Sequence, residues 1–391
     1  MAQNGGKPAF LALANGNRQE YNGQCQFSKG WKITEMEYAY MLGFAAALLS
    51  ALALTPLVKR FAFKVGAVDA PNQRKVHTRI MPRLGGLAIY LAFMVALLVA
   101  LPLVTGEKSH VIWGLLLGGT IVTIVGALDD RFDLSPKVKL LGQIAAASVV
   151  VSFGVKVDFV NLPFGDGANM GWLAIPITIF WIVGVTNAIN LIDGLDGLAA
   201  GVSAIATGTI FVLAVLMNNV TVAVLSAVLL GSILGFLFFN FHPAKIFMGD
   251  SGALFLGFTL ASLSVLGFKQ ATLVSFVVPI FILGVPLSDT FFAIVRRAVN
   301  KQPISAADKN HLHHCLLQLG LGHRNTVLAI YGISAMFALS AILLSTVAQW
   351  VALIVIAVTL LVLQIGAELI GIVHKTRRPI IHFVQRLLSL K

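Results

Sequence analysis

Hydrophobic residues in this chain do not alternate with polar ones. They run almost unbroken for about 17–25 residues at a time and stop at short polar breaks. The apolar stretches cover 39–61, 84–104, 111–128, 139–155, 171–189, 197–217, 221–240, 253–267, 271–295, 326–346 and 351–373. A helix of such length crosses a ~30 Å hydrocarbon core, and a helix satisfies each of its backbone groups internally where no water is present. The pattern predicts an all-α polytopic membrane protein with about eleven transmembrane helices. Residues 1–36 are polar and rich in Gly, Asn and Gln, and are expected to form a disordered extracytoplasmic tail, with Met36 or Met41 as alternative starts. Residues 37–373 form the transmembrane domain, and 374–391 a basic tail suited to an anionic leaflet.

Composition excludes a soluble chain: 58% of residues are hydrophobic and only 11% charged, with a mean hydropathy of +0.88. The net charge of +12 does not form a nucleic-acid-binding stripe, because the basic residues are scattered over separate loops. No nucleic-acid partner is expected. With an odd number of spans the loops fall into two sets, and 21 of the 28 Lys and Arg residues lie in 59–83, 129–139, 190–196, 241–252, 296–325 and 374–391. The positive-inside bias places that set in the cytoplasm, the N-terminus outside and the C-terminus inside. Tyr38, Tyr40, Trp113, Trp172 and Trp350 fall near the opposite interface, where amphipathic rings are favoured. Cys25 and Cys315 show no metal or redox spacing.

The scarce polar residues cluster, and each cluster falls on the basic side. Asn187-Ala-Ile-Asn190-Leu-Ile-Asp193-Gly-Leu-Asp196-Gly197 ends one apolar run and precedes another. A carboxylate at membrane depth costs about 2.5–3.5 kcal/mol on insertion scales, so these acids require partners. Asn187, Asn190 and Asp193 follow at intervals of three and are expected to lean along one helix face, as a cation or nucleotide site or as polar glue between helices. Asp129-Asp130 pairs two repelling carboxylates, which suits a divalent cation or a nearby lysine, or a solvated helix end. Gly249-Asp250-Ser251-Gly252 lets backbone approach a phosphate or metal while Asp250 supplies a ligand, though a tight turn reads the same. His311-Leu-His313-His314 lies close to Lys309 and Arg324 and is better suited to phosphate than to a transition metal. Asp289 lies seven residues before Arg296, roughly 10 Å into a helix, and is a functional candidate or the partner of a cation.

Taken in order, Pro71-Asn72-x-Arg74-Lys75-x-His77, Pro82-Arg83-x-Gly85-Gly86, Asp129-Asp130, Asn190-x-x-Asp193-Gly-x-Asp196-Gly197, Gly249-Asp250-Ser251-Gly252 and His311-x-His313-His314 resemble one family. This is the bacterial polyprenyl-phosphate N-acetylhexosamine-1-phosphate transferases, in the branch that transfers GlcNAc-1-phosphate and primes teichoic acid, O-antigen or related envelope polymers. The likeness covers about 40–325. It implies Mg2+-dependent transfer of GlcNAc-1-phosphate from UDP-GlcNAc to undecaprenyl phosphate, with release of UMP, by a plasma-membrane enzyme whose site faces the cytoplasm and which is compatible with a homodimer. Carried over position by position, Asp250 is the expected Mg2+ ligand, with Asn190 as the second. Asp129 and Asp130 would engage metal or lipid phosphate, and Asp193 the nucleotide. Lys139, His77, Arg83, His311, His313 and His314 would contact substrate. The competing expectation is an ion-coupled secondary transporter, which also carries intramembrane carboxylates such as Asp193, Asp196 and Asp289. Such a protein places its polar residues near the midplane and in both halves, whereas here they gather at one face.

Overall fold

A computed structural model describes residues 24–69, 80–103, 109–157, 159–160, 168–267, 277–303 and 310–370. Helices account for nearly all of it: α1 Gln24–Val65, α2 Gly85–Ala100, α3 Ser109–Phe132, α4 Pro136–Ser152, α5 Ala174–Ile192, α6 Leu198–Leu216, α7 Val220–Asn240, α8 Gly249–Gly267, α9 Val277–Ile282, α10 Gly284–Val299, α11 Leu312–Gln318, α12 His323–Thr346 and α13 Gln349–Ile370. Sheet is confined to two antiparallel pairs, Val68–Asp69 with Met81–Pro82 and Phe159–Val160 with Ala168–Asn169. The protein is all-α and polytopic, as the apolar runs predict.

Among the described residues, eight helices are long and apolar enough to cross a membrane: α1 from Tyr38 onward, α3, α5, α6, α7, α8, α12 and α13. Three expected spans look different. Helices α2 and α4 have 16 and 17 residues, or about 25 Å at 1.5 Å per residue, at the lower limit of a crossing. The stretch expected to span 271–295 is described from Val277 and is broken into α9 and α10. The cause is Pro286, which has no N–H to donate to the Ile282 carbonyl. Its neighbours keep their bonds, Leu283 N–H to the Pro279 carbonyl at 3.1 Å and Leu287 N–H to the Leu283 carbonyl at 3.0 Å.

Helix α8 is the centre of the bundle, with 83% of its apolar stretch buried, against 17% for α13. Helices α2, α3, α5, α6 and α7 all contact it. Lipid is as apolar as leucine, so what holds such a bundle together is close contact between small residues and the dispersion attraction that follows. Gly257 of α8 rests on the backbone of Thr186 in α5, and Gly126 of α3 rests on the backbone of Ser251. The hydroxyls that a buried helix carries turn back to its own carbonyls, as with Ser262 to Phe258 at 2.8 Å. Up-and-down passage then gathers alternate helix ends: the C-termini of α3, α5, α7 and α10 and the N-termini of α2, α4, α6, α8 and α12 meet at one end of the bundle, as the contacts below show.

Candidate active site

The first turn of α8 is the anchor. Gly249 takes φ +70°, where a side chain would be strained and would also overlap the Arg83 carbonyl and the Asp130 carboxylate. Past it the chain turns into α8, and both oxygens of Asp130 accept the otherwise orphaned backbone N–H groups, from Asp250 at 2.8 Å and Ser251 at 3.1 Å. Asp130, from the end of α3, therefore caps α8. Helix α2 is locked to the same turn by Gly85 N–H to the Phe247 carbonyl at 3.0 Å and Gly86 N–H to the Met248 carbonyl at 2.8 Å. Arg83 approaches Asp130 at 3.8 Å and Asp133 at 3.8 Å.

With its backbone fixed, the Asp250 carboxylate meets Lys139, whose Nζ lies 2.8 Å from Asp250 Oδ2 and 3.1 Å from Asp129 Oδ2. The Asn190 side chain is directed at Asp250 as well. Two carboxylates from two helices thus converge on one ammonium group, and the Asn190 amide of a third helix stands beside Asp250. A donor set of that kind suits Mg2+, which favours one or two carboxylates completed by phosphate and water.

Asp193 follows at the C-cap of α5, half-buried. Burial pushes its carboxyl up to about 8, and the negative charges of Asp250, Asp130 and Asp196 add to the shift against the Arg83 guanidinium. Asn187 turns away from this centre, its Nδ2 donating to Gln143 Oε1 at 2.7 Å. It is the polar glue between α4 and α5, so only Asn190 and Asp193 of the expected face reach the site.

The histidines form a second cluster. His311 Nδ1 lies 2.8 Å from Asp289 Oδ2, and Leu312 N–H donates to Asp289 Oδ1 at 2.8 Å. The buried carboxylate of α10 thus holds the histidine loop instead of serving as an isolated charge. His311 and His313 lie with rings parallel at 6.1 Å, and His313 and His314 with centroids 4.1 Å apart. Burial pulls His313 down to about 4, with His314 adding and Asp289 opposing, so the ring is neutral at pH 7. A Cβ at Gly194 would overlap the His313 ring, which puts the histidine loop directly against the turn that carries Asp193. His77 lies outside the described residues.

Sequence reasoning missed one network. Asp196 accepts from Ala244 N–H at 3.1 Å, pairs with His242 Nδ1 at 3.0 Å, and donates its own N–H to His323 Nε2 at 3.0 Å. Asn240 adds Oδ1 to Gly197 N–H at 3.1 Å. The ligand atoms of Asp196, His242 and His323 lie within 4.8 Å of one another, but the imidazoles stack at 4.2 Å and these nitrogens are already engaged. The trio clamps the turn after Asp193 to α7 and α12.

A membrane bundle that brings acids, a lysine and histidines to one end is built to handle phosphorylated substrates at a bilayer surface. This class of membrane-embedded transferase is where the comparisons also fall. The profile of glycosyl transferase family 4 matches residues 112–268. The chain is 50% identical over 351 residues to a probable undecaprenyl-phosphate N-acetylglucosaminyl 1-phosphate transferase of Bacillus subtilis, covering 89% of this chain and 97% of that protein. It is 38% identical over 341 residues to a decaprenyl-phosphate N-acetylglucosaminephosphotransferase of Mycobacterium tuberculosis, covering 77% and 82%. A phospho-N-acetylmuramoyl-pentapeptide-transferase of Listeria monocytogenes is 34% identical over 245 residues, covering 59% and 75%. The chain belongs to glycosyl transferase family 4, among its polyprenyl-phosphate GlcNAc-1-phosphate transferases.

Proposed function

We propose that the protein transfers GlcNAc-1-phosphate from UDP-GlcNAc to undecaprenyl phosphate and releases UMP, as the first membrane step of a cell-envelope polymer. The observation that carries this reading is the Lys139 bridge between Asp129 and Asp250 at the capped start of α8. The similarity to the Bacillus subtilis transferase over 97% of that protein supports the substrate pair. Both substrates are polyanions, and their phosphates repel unless fixed positive charge and hydrogen-bond donors receive them.

Asp250 and Asn190 would hold Mg2+, which when bound neutralises phosphate charge and withdraws electrons from the reacting phosphorus. This chain's own groups do the rest. Asp129 keeps a carboxylate directed at the cluster, whereas Asp130 is consumed by the backbone of α8; Asp129 is therefore the group that orients the acceptor phosphate and takes its residual proton. Lys139, released from one carboxylate as a phosphate arrives, stabilises the transferred group. Asp193, protonated near neutrality while no cation is close, presents an O–H donor to the nucleotide. The neutral His313 offers a hydrogen bond to sugar or phosphate, and Asp289 fixes the loop through His311. A transporter reading drew on Asp289 as an intramembrane charge, and that charge is spent on the histidine loop.

We place the site on the cytoplasmic face, where the positive-inside bias puts these loops and where UDP-sugars are made. Purified protein given undecaprenyl phosphate and Mg2+ is expected to release UMP from UDP-GlcNAc, and not from UDP-MurNAc-pentapeptide. Absence of UMP release with every UDP-HexNAc, from folded protein, refutes the assignment. Orientation has its own test in a background lacking Cys25 and Cys315: an impermeant thiol reagent should label Trp172→Cys in intact cells and leave Asn300→Cys unlabelled. The reverse labelling overturns it.

A further inference from the structure

On the far side of α3 from the reacting cluster lies an apolar groove of about 350 Å3. Phe61 and Val65 of α1, Leu84 and Leu87 at the start of α2, and Ile124 and Leu128 of α3 form its walls, with Arg131 and Phe132 at the mouth. We propose that this groove binds one anionic phospholipid, with an acyl chain along α3 and its phosphodiester on Arg131.

Charge is what selects the occupant. Arg131 is exposed, its guanidinium rests 5.2 Å above the Phe132 ring, and it packs beside Gly66 at the end of α1. Among the described residues no acid pairs with Arg131, nor with Lys59, Arg60 or Lys64 in the last turns of α1. Arg131 is thus the cation that lines an apolar slot at the level where the helices end, without a counter-ion among the described residues. Each basic group near an anionic membrane surface strengthens binding by roughly fivefold, so even Arg131 alone discriminates a charged headgroup from a zwitterionic one. The neighbouring Arg83 is different, since Asp130 and Asp133 occupy it.

The same geometry argues against the acceptor's own tail. Ile124, Leu128 and Arg131 recur at i, i+4 and i+7 on one stripe of α3. Asp129 and Asp130 point to the other side, toward Lys139 and α8. A phosphate on Arg131 is therefore outside the reacting cluster, as befits a lipid that binds and does not react.

The test uses the full chain, delipidated in a neutral detergent and titrated with dioleoyl phosphatidylglycerol or dioleoyl phosphatidylcholine, with bound lipid counted by native mass spectrometry. Wild type is expected to retain one phosphatidylglycerol at about fivefold lower concentration than phosphatidylcholine. Arg131→Gln should remove that preference, Arg131→Lys should keep it, and Ile124→Trp should weaken both lipids by filling the slot. An unchanged thermal-unfolding midpoint in lipid-free detergent separates these results from misfolding. Equal binding of the two lipids, or a preference surviving in Arg131→Gln, overturns the proposal. So does one-for-one displacement of phosphatidylglycerol by undecaprenyl phosphate, which would make the groove the acceptor's.

Discussion

Replacing Gly86 by alanine adds one methyl group at the place where α2 meets the capped turn of α8. The new Cβ would overlap Gly252 N and Cα and the Ser251 carbonyl carbon, all backbone atoms that no rotamer change can move. Helix α2 must retreat, stretching the Gly86 N–H bond to Met248 and the Gly85 N–H bond to Phe247. Overpacking of this kind costs about 1–3 kcal/mol, and weakening two hydrogen bonds adds about 0.5–1.5 kcal/mol each, for a loss of about 2–6 kcal/mol. The displaced residue Arg83 borders Asp130, so the Asp250 carboxylate shifts with it; a misplacement near 1 Å lowers turnover by about a hundredfold. Gly184→Ala is the matched control, since nothing lies within 4 Å of a Cβ there. Thermal unfolding in detergent and UMP release measured on both variants test the reasoning. Gly86→Ala is expected to unfold several degrees earlier and to lose activity, while Gly184→Ala matches wild type. If Gly86→Ala is as stable and as active as Gly184→Ala, the packing of α2 on α8 does not hold the site.

Lys139→Met removes the cation shared by Asp129 and Asp250, and loss of one preorganised charge-stabilising donor lowers turnover by about a hundredfold to a thousandfold. The unpaired carboxylates should then gain more thermal stability from added Mg2+ than wild type does, and an equal gain would count against a common centre. Asp289→Asn keeps the shape of the side chain but weakens its hold on His311. It should lower kcat with UDP-GlcNAc by about tenfold or more, as lost positioning does, and unchanged kinetics would detach α10 from the site. The Asp193 carboxyl rises from 3.8 to about 8 on folding, so the folded state binds the extra proton and stability falls as pH rises between these values. His313, lowered from 6.5 to about 4, acts oppositely, since its neutral folded form gains stability as pH rises from about 4 to 6.5. Above pH 6.5 the His313 effect is complete, and the Asp193 effect is read as the difference between wild type and Asp193→Asn. In chelator, the decline of the unfolding midpoint from pH 6.5 to 8.5 should be shallower in Asp193→Asn than in wild type, and parallel slopes would contradict the burial of that charge.

Much of the fold was legible because lipid imposes one length and one kind of secondary structure. The broken α9–α10 segment was not, although Pro286 is visible in the sequence, because apolarity continues across the break. The acids that meet at the start of α8 were also legible, since Asp129, Asp130 and Asp250 stand out in an apolar chain. Their division of labour was not. Asp130 caps a helix by accepting from a residue 120 positions later in the chain, and no local pattern carries that information. Asn187 was expected beside Asn190 and Asp193, but each step of three residues falls about 60° short of a full turn. Two steps bring Asp193 well round the helix from Asn187, which faces Gln143 instead. His323 had no neighbouring motif to mark it, and only tertiary packing brings it to Asp196.

Phosphoryl transfer is proposed to occur where Asp129, Lys139 and Asp250 meet at the start of α8. The direct measurement is UMP release by Asp250→Ala and Asp129→Ala, in protein shown by thermal unfolding to be folded. A loss of about a thousandfold or more is expected in each, with Asp130→Asn losing stability as well as activity because its role is to hold the helix. Release within about tenfold of wild type from folded Asp250→Ala would place the chemistry elsewhere.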